Sequence, residues 1–302
     1  MGCLFGAHLS PHADVTLVGH WPAQRQALRM GHLVVHHQDG RTTTHQLHAV
    51  DDPEAIGWVD LALVLTKAHQ TQQVATRAAR SLKRDGIALT LQNGVGNATI
   101  LAQAVGSERA TQGITTLGAS TRGLPGKLYL AGTGSITLAT RPEIAPQMER
   151  IAALFRQAGL TTTLSDDVRG LIWGKLAVNA AINPLTAILR APNGALLEST
   201  WAQQLAAQAA EEVATVARAE GVTLPFDDAA AYALEVARQT ANNQSSMLQD
   251  VLRGAITEID AICGAVIRRG AARDIPTPVN ETLHALVKAL EETHDHADRH
   301  HD

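Results

Sequence analysis

Apolar positions along this chain follow two different periods, and the change of period divides the molecule. Short runs rich in β-branched residues recur through the first half: DVTLVGH (14–20), DLALVLTK (60–67) and GIALTLQNG (86–94). Helix-like stretches such as TQQVATRAARSLKRDG lie between them, and that alternation predicts a parallel, doubly wound α/β sheet. A less regular β-rich stretch follows in ATQGITTLGAST and KLYLAGTGSITLAT, then an amphipathic helix from Pro142 to Ala158 and a short strand over Thr161 to Leu164. From Asp167 onward the strand signals stop. GALLESTWAQQLAAQAAEEVATVARAEG, DDAAAYALEVARQTA, TEIDAICGAVIRRGAAR and NETLHALVKALEE all carry helical spacing of Ala, Leu, Ile and Val. The pattern predicts two domains, an α/β domain over 1–165 and an all-helical domain over 166–302.

One helical segment breaks its own apolar pattern. In GLIWGKLAVNAAINPLTAIL, Lys175, Asn179 and Asn183 recur at four-residue steps, each turning only about 40°, so their heads form a stripe roughly 12 Å long. Leu171, Ile172, Leu176, Val178 and Ile182 occupy the rest of the surface, which predicts burial. A buried ammonium needs a partner or sheds its proton, and a polar ligand is one such partner. Taken singly, Lys175 reads as well as a lysine snorkelling to solvent, and Asn183 before Pro184 as the cap and first residue of a new helix.

Composition narrows the choice of ligand. With 25 basic and 29 acidic residues the formal charge is −4, which gives no electrostatic footprint for nucleic acid or an anionic membrane. Cys3 and Cys263 are too few and too isolated for a disulfide framework or a thiolate metal site, so a reducing, cytoplasmic setting and no metal are expected. No apolar run reads as long enough to span a bilayer, and MGCLFGAHL lacks the basic region and cleavage pattern of a signal peptide. The closing THDHADRHHD reads as a frayed polar tail rather than a metal site.

In doubly wound sheets ligands sit beyond the carboxyl ends of the strands. Lys67 closes DLALVLTK there, and Asn93 opens the turn QNGVGN, where Gly94 and Gly96 would let backbone approach a ligand closely. An ordinary Asn-Gly turn and a solvated lysine are the plainer readings of each alone.

Four segments together resemble the ketopantoate reductase family: LVLTKAHQT, QNGVGN, GKLAVNAAINPLTAI and SSMLQDVLRGAITEID, in order between residues 61 and 260. The resemblance implies a Rossmann-like domain followed by a helical domain, and reduction of the 2-keto acid 2-dehydropantoate (ketopantoate) to pantoate with NADPH, that is, NADP as cofactor. It implies Lys175 as proton donor and Asn179, Asn183, Asn193 and Ser246 as substrate contacts. Glu258 becomes an orienting group near substrate and cofactor, Asn93 a contact to both, Lys67 a cofactor-side lysine, and Ala119 in GITTLGA a backbone contact to the cofactor. The plainer readings are a turn for Asn193 in APNG, a cap for Ser246, and a first-turn carboxylate for Glu258 after Thr257. Chemistry supports the lysine independently, because reducing a ketone leaves negative charge on oxygen, which an ammonium neutralises or protonates.

The chain departs from the family pattern at its start. Members open with a strand and a GxGxxG turn, whereas Met1 and Gly2 align with the last two positions of that turn. Gly2 thereby stands as the third glycine, the one for close helix packing and the cofactor side, and the expectation is that the translation start lies upstream. After the second strand His20 and Arg25 stand near the place of the arginine that meets a 2′-phosphate, and no acidic residue favours NAD. The competing readings are a reductase of another keto acid or an imine, and a non-catalytic homologue. The helical half could supply a homodimer surface.

Overall fold

The computed structural model describes residues 1–52 and 55–298, and the chain divides into two compact units. The first comprises Met1–Gln92 and Asn97–Val168; the second comprises Asn93–Gly96 and Arg169–Asp302.

The first unit opens with α1 (Gly2–Leu9), β1 (Thr16–Val18) and α2 (Pro22–Met30). Strands β2 (Leu33–His36), β3 (Thr42–His45) and β4 (His48–Val50) follow, none of them foreseen from periodicity. β3 reads TTTH, alternating exposed and half-buried, and lacks the apolar run that marks a core strand, while β2 (LVVH) and β4 (HAV) carry buried apolar residues in runs of only two or three. Then come β5 (Val59–Val64), α3 (Thr71–Ser81), β6 (Leu82–Thr90), α4 (Asn97–Val105), β7 (Ala110–Thr115), β8 (Ala119–Ser120), β9 (Lys127–Leu130), β10 (Ser135–Ala139), α5 (Ala145–Gln157) and β11 (Thr161–Ser165). Strands β5, β6 and β7 pair in parallel, while β10 joins β7 antiparallel and β11 joins β10 in parallel. The sheet is therefore mixed. A four-stranded sheet runs β3-β2-β9-β8, and β1 pairs with β4 alone. Leu89, Ile136, Leu138, Met148 and Phe155 anchor the core between the larger sheet and α5.

The helix expected over 71–86 ends at Ser81. Leu82 is buried and pairs with Val59, and the register then jumps to Leu61 against Ile87, so Lys83–Gly86 form an irregular bulge in β6. At Gly86 a Cβ would meet the Val59 carbonyl oxygen at 3.0 Å, which keeps that position free of a side chain.

The second unit contains α6 (Arg169–Leu189), a 3-10 turn (Asn193–Glu198), α7 (Thr200–Ala219), α8 (Ala229–Gln239), α9 (Ser246–Val251), α10 (Cys263–Ala271) and α11 (Pro278–Asp298). Ser199, Asp228 and Ser245 cap α7, α8 and α9, each accepting a backbone N–H with its side chain. Glu212 on α7 caps α11, taking the N–H groups of Val279 (2.8 Å) and Asn280 (2.9 Å). Alanines 202, 206, 209, 210, 214 and 217 let α7 pack closely within this unit's core.

Four expectations change here. Asn183 does not cap a new helix: α6 continues through Pro184 to Leu189. At 21 residues α6 is also long and apolar enough to cross a membrane, contrary to the reading of the sequence, yet α7, α8, α9 and α11 pack around it and bury Trp173, Leu176, Ala177, Ala180 and Ala181. The helix expected from Thr257 starts at Cys263, leaving Glu258 in the turn before it. The expected frayed tail is helical to Asp298; its last four residues lie outside the described ones.

Candidate active site

The polar stripe survives as geometry because α6 is unbroken. Proline removes the N–H that would reach the Ala180 carbonyl, and buried packing rather than backbone bonding carries the helix past it. Thr186 helps by donating to Ser245 Oγ at 2.7 Å, which fastens the end of α6 to the start of α9. Lys175 and Asn179 are half-buried and Asn183 is buried. Burial pushes the Lys175 ammonium down to about 8, against the opposing pull of the Glu258 carboxylate.

Glu258 is itself buried, and Asn93 Nδ2 donates to its Oε2 at 3.0 Å. Asn93, Lys175 and Glu258, separated widely in sequence, are thus joined by one hydrogen bond and one charge interaction. Gly94 makes the pairing possible. Its φ is +84° and an added Cβ would lie 2.4 Å from the Ala261 carbonyl oxygen, so the close approach expected at this glycine is to the backbone of the Glu258 turn.

Ser246 is not the helix cap; Ser245 is, accepting the Leu248 N–H at 3.1 Å, which leaves the Ser246 hydroxyl exposed in the first turn of α9. Asn193 is buried at the head of its 3-10 turn. Its Nδ2 donates to Thr240 Oγ1 (2.9 Å) and its N–H to the Asn243 carbonyl (3.0 Å), while Oδ1 is buried without a hydrogen-bond partner. Both contacts hold the loop that leads to Ser246.

The remaining candidates belong to the sheet unit. Lys67 is half-buried just beyond the carboxyl end of β5, and it lies within electrostatic reach of the Met1 amine, whose proton affinity burial lowers first and Lys67 lowers further. Gly2 opens α1, which has no side-chain cap, and a Cβ there would meet nothing within 4 Å. The close-packing role expected of Gly2 falls instead to Gly6, where a Cβ would sit 3.1 Å from Leu17 Cδ2. An open glycine at an uncapped helix start near a lysine suits a dinucleotide's phosphates. Ala119 lies in β8, the edge strand of the four-stranded sheet. Arg25 is paired with Asp51, whereas His20 Nε2 accepts from Arg77 on α3 at 3.0 Å.

Sequence reasoning missed Arg77 and also Gln92. Gln92 donates to the Thr66 carbonyl (2.9 Å) and accepts from Thr90 Oγ1 (2.8 Å), tying together the strand ends that precede Asn93. Glutamine within QNGVGN was a visible signal, but its partners lie 26 and 2 residues away and only folding reveals them.

Residues 1–143 match the model described as Ketopantoate reductase PanE/ApbA, and residues 167–291 match that described as Ketopantoate reductase PanE/ApbA C terminal. A 2-dehydropantoate 2-reductase of Halobacterium salinarum is 37% identical over 293 residues, 95% of either chain. The crystal structure of a PanE/ApbA family ketopantoate reductase from Ralstonia eutropha superposes with a TM-score of 0.87 at 33% identity, covering 96% of this chain and 94% of that one. D-mandelate dehydrogenase, solved with NADH and anilino(oxo)acetate, superposes with a TM-score of 0.91 at 29% identity, covering 98% and 96%. The Rossmann-like unit, the helical unit with its lysine–asparagine stripe, and similarity along nearly the whole length lead to one assignment: the chain belongs to the ketopantoate reductase family of nicotinamide-dependent oxidoreductases.

Proposed function

We propose that the protein reduces 2-dehydropantoate to pantoate in the cytoplasm, using NADPH, with Lys175 as the proton donor. The observation that carries the reading is the half-buried Lys175, lowered to about 8 beside Glu258 on a helix whose same face carries Asn179 and Asn183. Bound NADPH supplies a hydride to the keto carbon. Lys175 Nζ faces the charge that then grows on the keto oxygen and hands it a proton; an ammonium of lowered proton affinity does this more readily than a solvated lysine near 10.4. Glu258 keeps that ammonium partly charged, and Asn93 fixes the Glu258 carboxylate. Asn179, Asn183 and Ser246 offer uncharged donors and acceptors to the substrate's hydroxyl and carboxylate. Asn193 supports them from the loop side. On the cofactor side, Gly2, Lys67 and the backbone of Ala119 would hold the dinucleotide. His20 with Arg77, rather than the paired Arg25, would meet a 2′-phosphate.

A second reading rests on the likeness to D-mandelate dehydrogenase solved with NADH, which favours a different 2-keto acid and NAD. Steady-state kinetics with ketopantoate, benzoylformate and 2-oxoisovalerate, each against NADPH and NADH, separates the two. The proposal expects the highest kcat/KM for ketopantoate with NADPH; a preference for benzoylformate with NADH replaces it with the second reading.

A further inference from the structure

The turn that carries Glu258 has no regular secondary structure of its own over 255–262, yet it must hold a buried carboxylate in place. Part of its order is internal. Thr257 Oγ1 accepts the Ile259 N–H (3.1 Å), and the Glu258 carbonyl accepts the N–H groups of Ala261 and Ile262 (3.0 Å each). The rest comes from one face of α11. Glu291 Oε1 accepts the backbone N–H of Thr257 at 2.8 Å, and Thr257 is almost fully buried. Lys288 Nζ donates to Glu291 Oε2 at 2.7 Å and lies 3.4 Å from Asp260 Oδ2, while Asp260 Oδ1 sits 2.7 Å from His284 Nε2. Residues 284, 288 and 291 fall on one stripe of the helix, so three side chains grip the turn on both sides of Glu258.

We infer that Glu291 is a positioning residue for the reaction: by accepting the Thr257 N–H it holds the turn so that the Glu258 carboxylate stays against Asn93 and within reach of Lys175. The inference rests on the roles proposed for Glu258 and Lys175. Its physical basis is the charge-assisted bond to a buried amide one residue before Glu258, which is stronger than a neutral one and leaves that N–H orphaned if lost. Lys288 offsets the carboxylate's charge and aims its second oxygen. Asp260 and His284 form a weaker second strut, more exposed than the first.

The test compares Glu291→Ala, Glu291→Gln and Glu258→Gln. Glu291→Ala is expected to lower kcat by about 10- to 100-fold, the scale of a catalytic group displaced by about 1 Å, while the thermal shift with NADPH persists. The apparent pKa of its kcat profile should fall below the wild-type value, because a displaced Glu258 no longer supports the Lys175 ammonium; a merely structural loss would not move it. Glu291→Gln keeps an oxygen acceptor for Thr257 and should stay within about threefold of wild type. Hydrogen exchange at the Thr257 amide should quicken in the alanine variant alone. If Glu291→Ala does not fold, Glu291→Asp, which keeps the charge but withdraws it by one methylene, takes its place with the same expectations. Wild-type kcat and an unshifted pH profile in the alanine or aspartate variant would overturn the inference, as would equal losses in Glu291→Gln and Glu291→Ala. If Glu258→Gln is damaged while Glu291→Ala is not, the clamp fails and the role of Glu258 stands; if Glu258→Gln is itself indifferent, that role fails and takes the clamp with it.

Discussion

The proposed mechanism concentrates the chemistry in the side chain of Lys175, and the direction of its shift sets what should be measured. Burial lowers its proton affinity to about 8, so the group is charged below that pH and neutral above it. With Lys175 as the proposed acid, reduction consumes its proton, and kcat for reduction should hold below about pH 8 and fall as the pH rises through it; a profile flat from pH 6 to 10 would exclude Lys175 as the acid. Lys175→Ala should lose about 10²- to 10⁴-fold in kcat while NADPH binding remains, and unchanged turnover would remove the mechanism. The same shift has a stability consequence. An unfolded chain keeps this proton up to about 10.5, so between about 8 and 10.5 unfolding takes up a proton, and this group's contribution to stability rises with pH across that window. Lys175 and its two asparagines were legible from spacing alone, because a polar stripe on an apolar helix is a local property of the sequence. Its partner Glu258 was not, since 83 residues separate them and no local pattern encodes that meeting.

Turns and helix ends decide whether those side chains meet. Gly94 is required by its backbone: φ of +84° and the Ala261 carbonyl in the space of a Cβ leave no room for alanine. Gly94→Ala should cost about 1–3 kcal/mol in urea unfolding and reduce kcat as well, because the turn carrying Asn93 must move. Near wild-type values in both measurements would show that the contact yields easily. The start of α11 offers a second case. Glu212 satisfies two backbone N–H groups and the Asn280 amide, so Glu212→Ala should destabilise the protein by about 2–4 kcal/mol, read as a lower denaturation midpoint with the same m-value. Helix existence in this half was readable from the 3.6-residue period, but helix ends were not. Pro184 reads as a helix start and is instead carried through by packing, while the helical spacing from Thr257 to Ile262 yields to capping and clamping contacts from α11.

At the scale of the whole chain, cofactor choice is the property most open to test. NADPH in excess should raise the melting temperature, by about 2.7 kcal/mol of stabilisation at 100 times its Kd. Arg77→Ala should weaken the shift with NADPH and with 2′,5′-ADP while leaving that with NADH in place; equal shifts before and after the change would remove Arg77 from the 2′-phosphate. The alternation of strand and helix from β5 to β6, the all-helical second half, the polar stripe, Lys67 at a strand end and the Asn-Gly turn were determined by the sequence itself, because period, propensity and turn chemistry act over a few residues. The tertiary structure alone decided that Asn93 hydrogen-bonds Glu258, that Arg77 rather than Arg25 keeps company with His20, that β10 runs against its neighbour β7, and that a glutamate near the end of the last helix grips the turn of Glu258. Those contacts join residues tens to more than a hundred positions apart. Only the fold brings those partners within reach of one another, and nothing in the local sequence of either one carries that information.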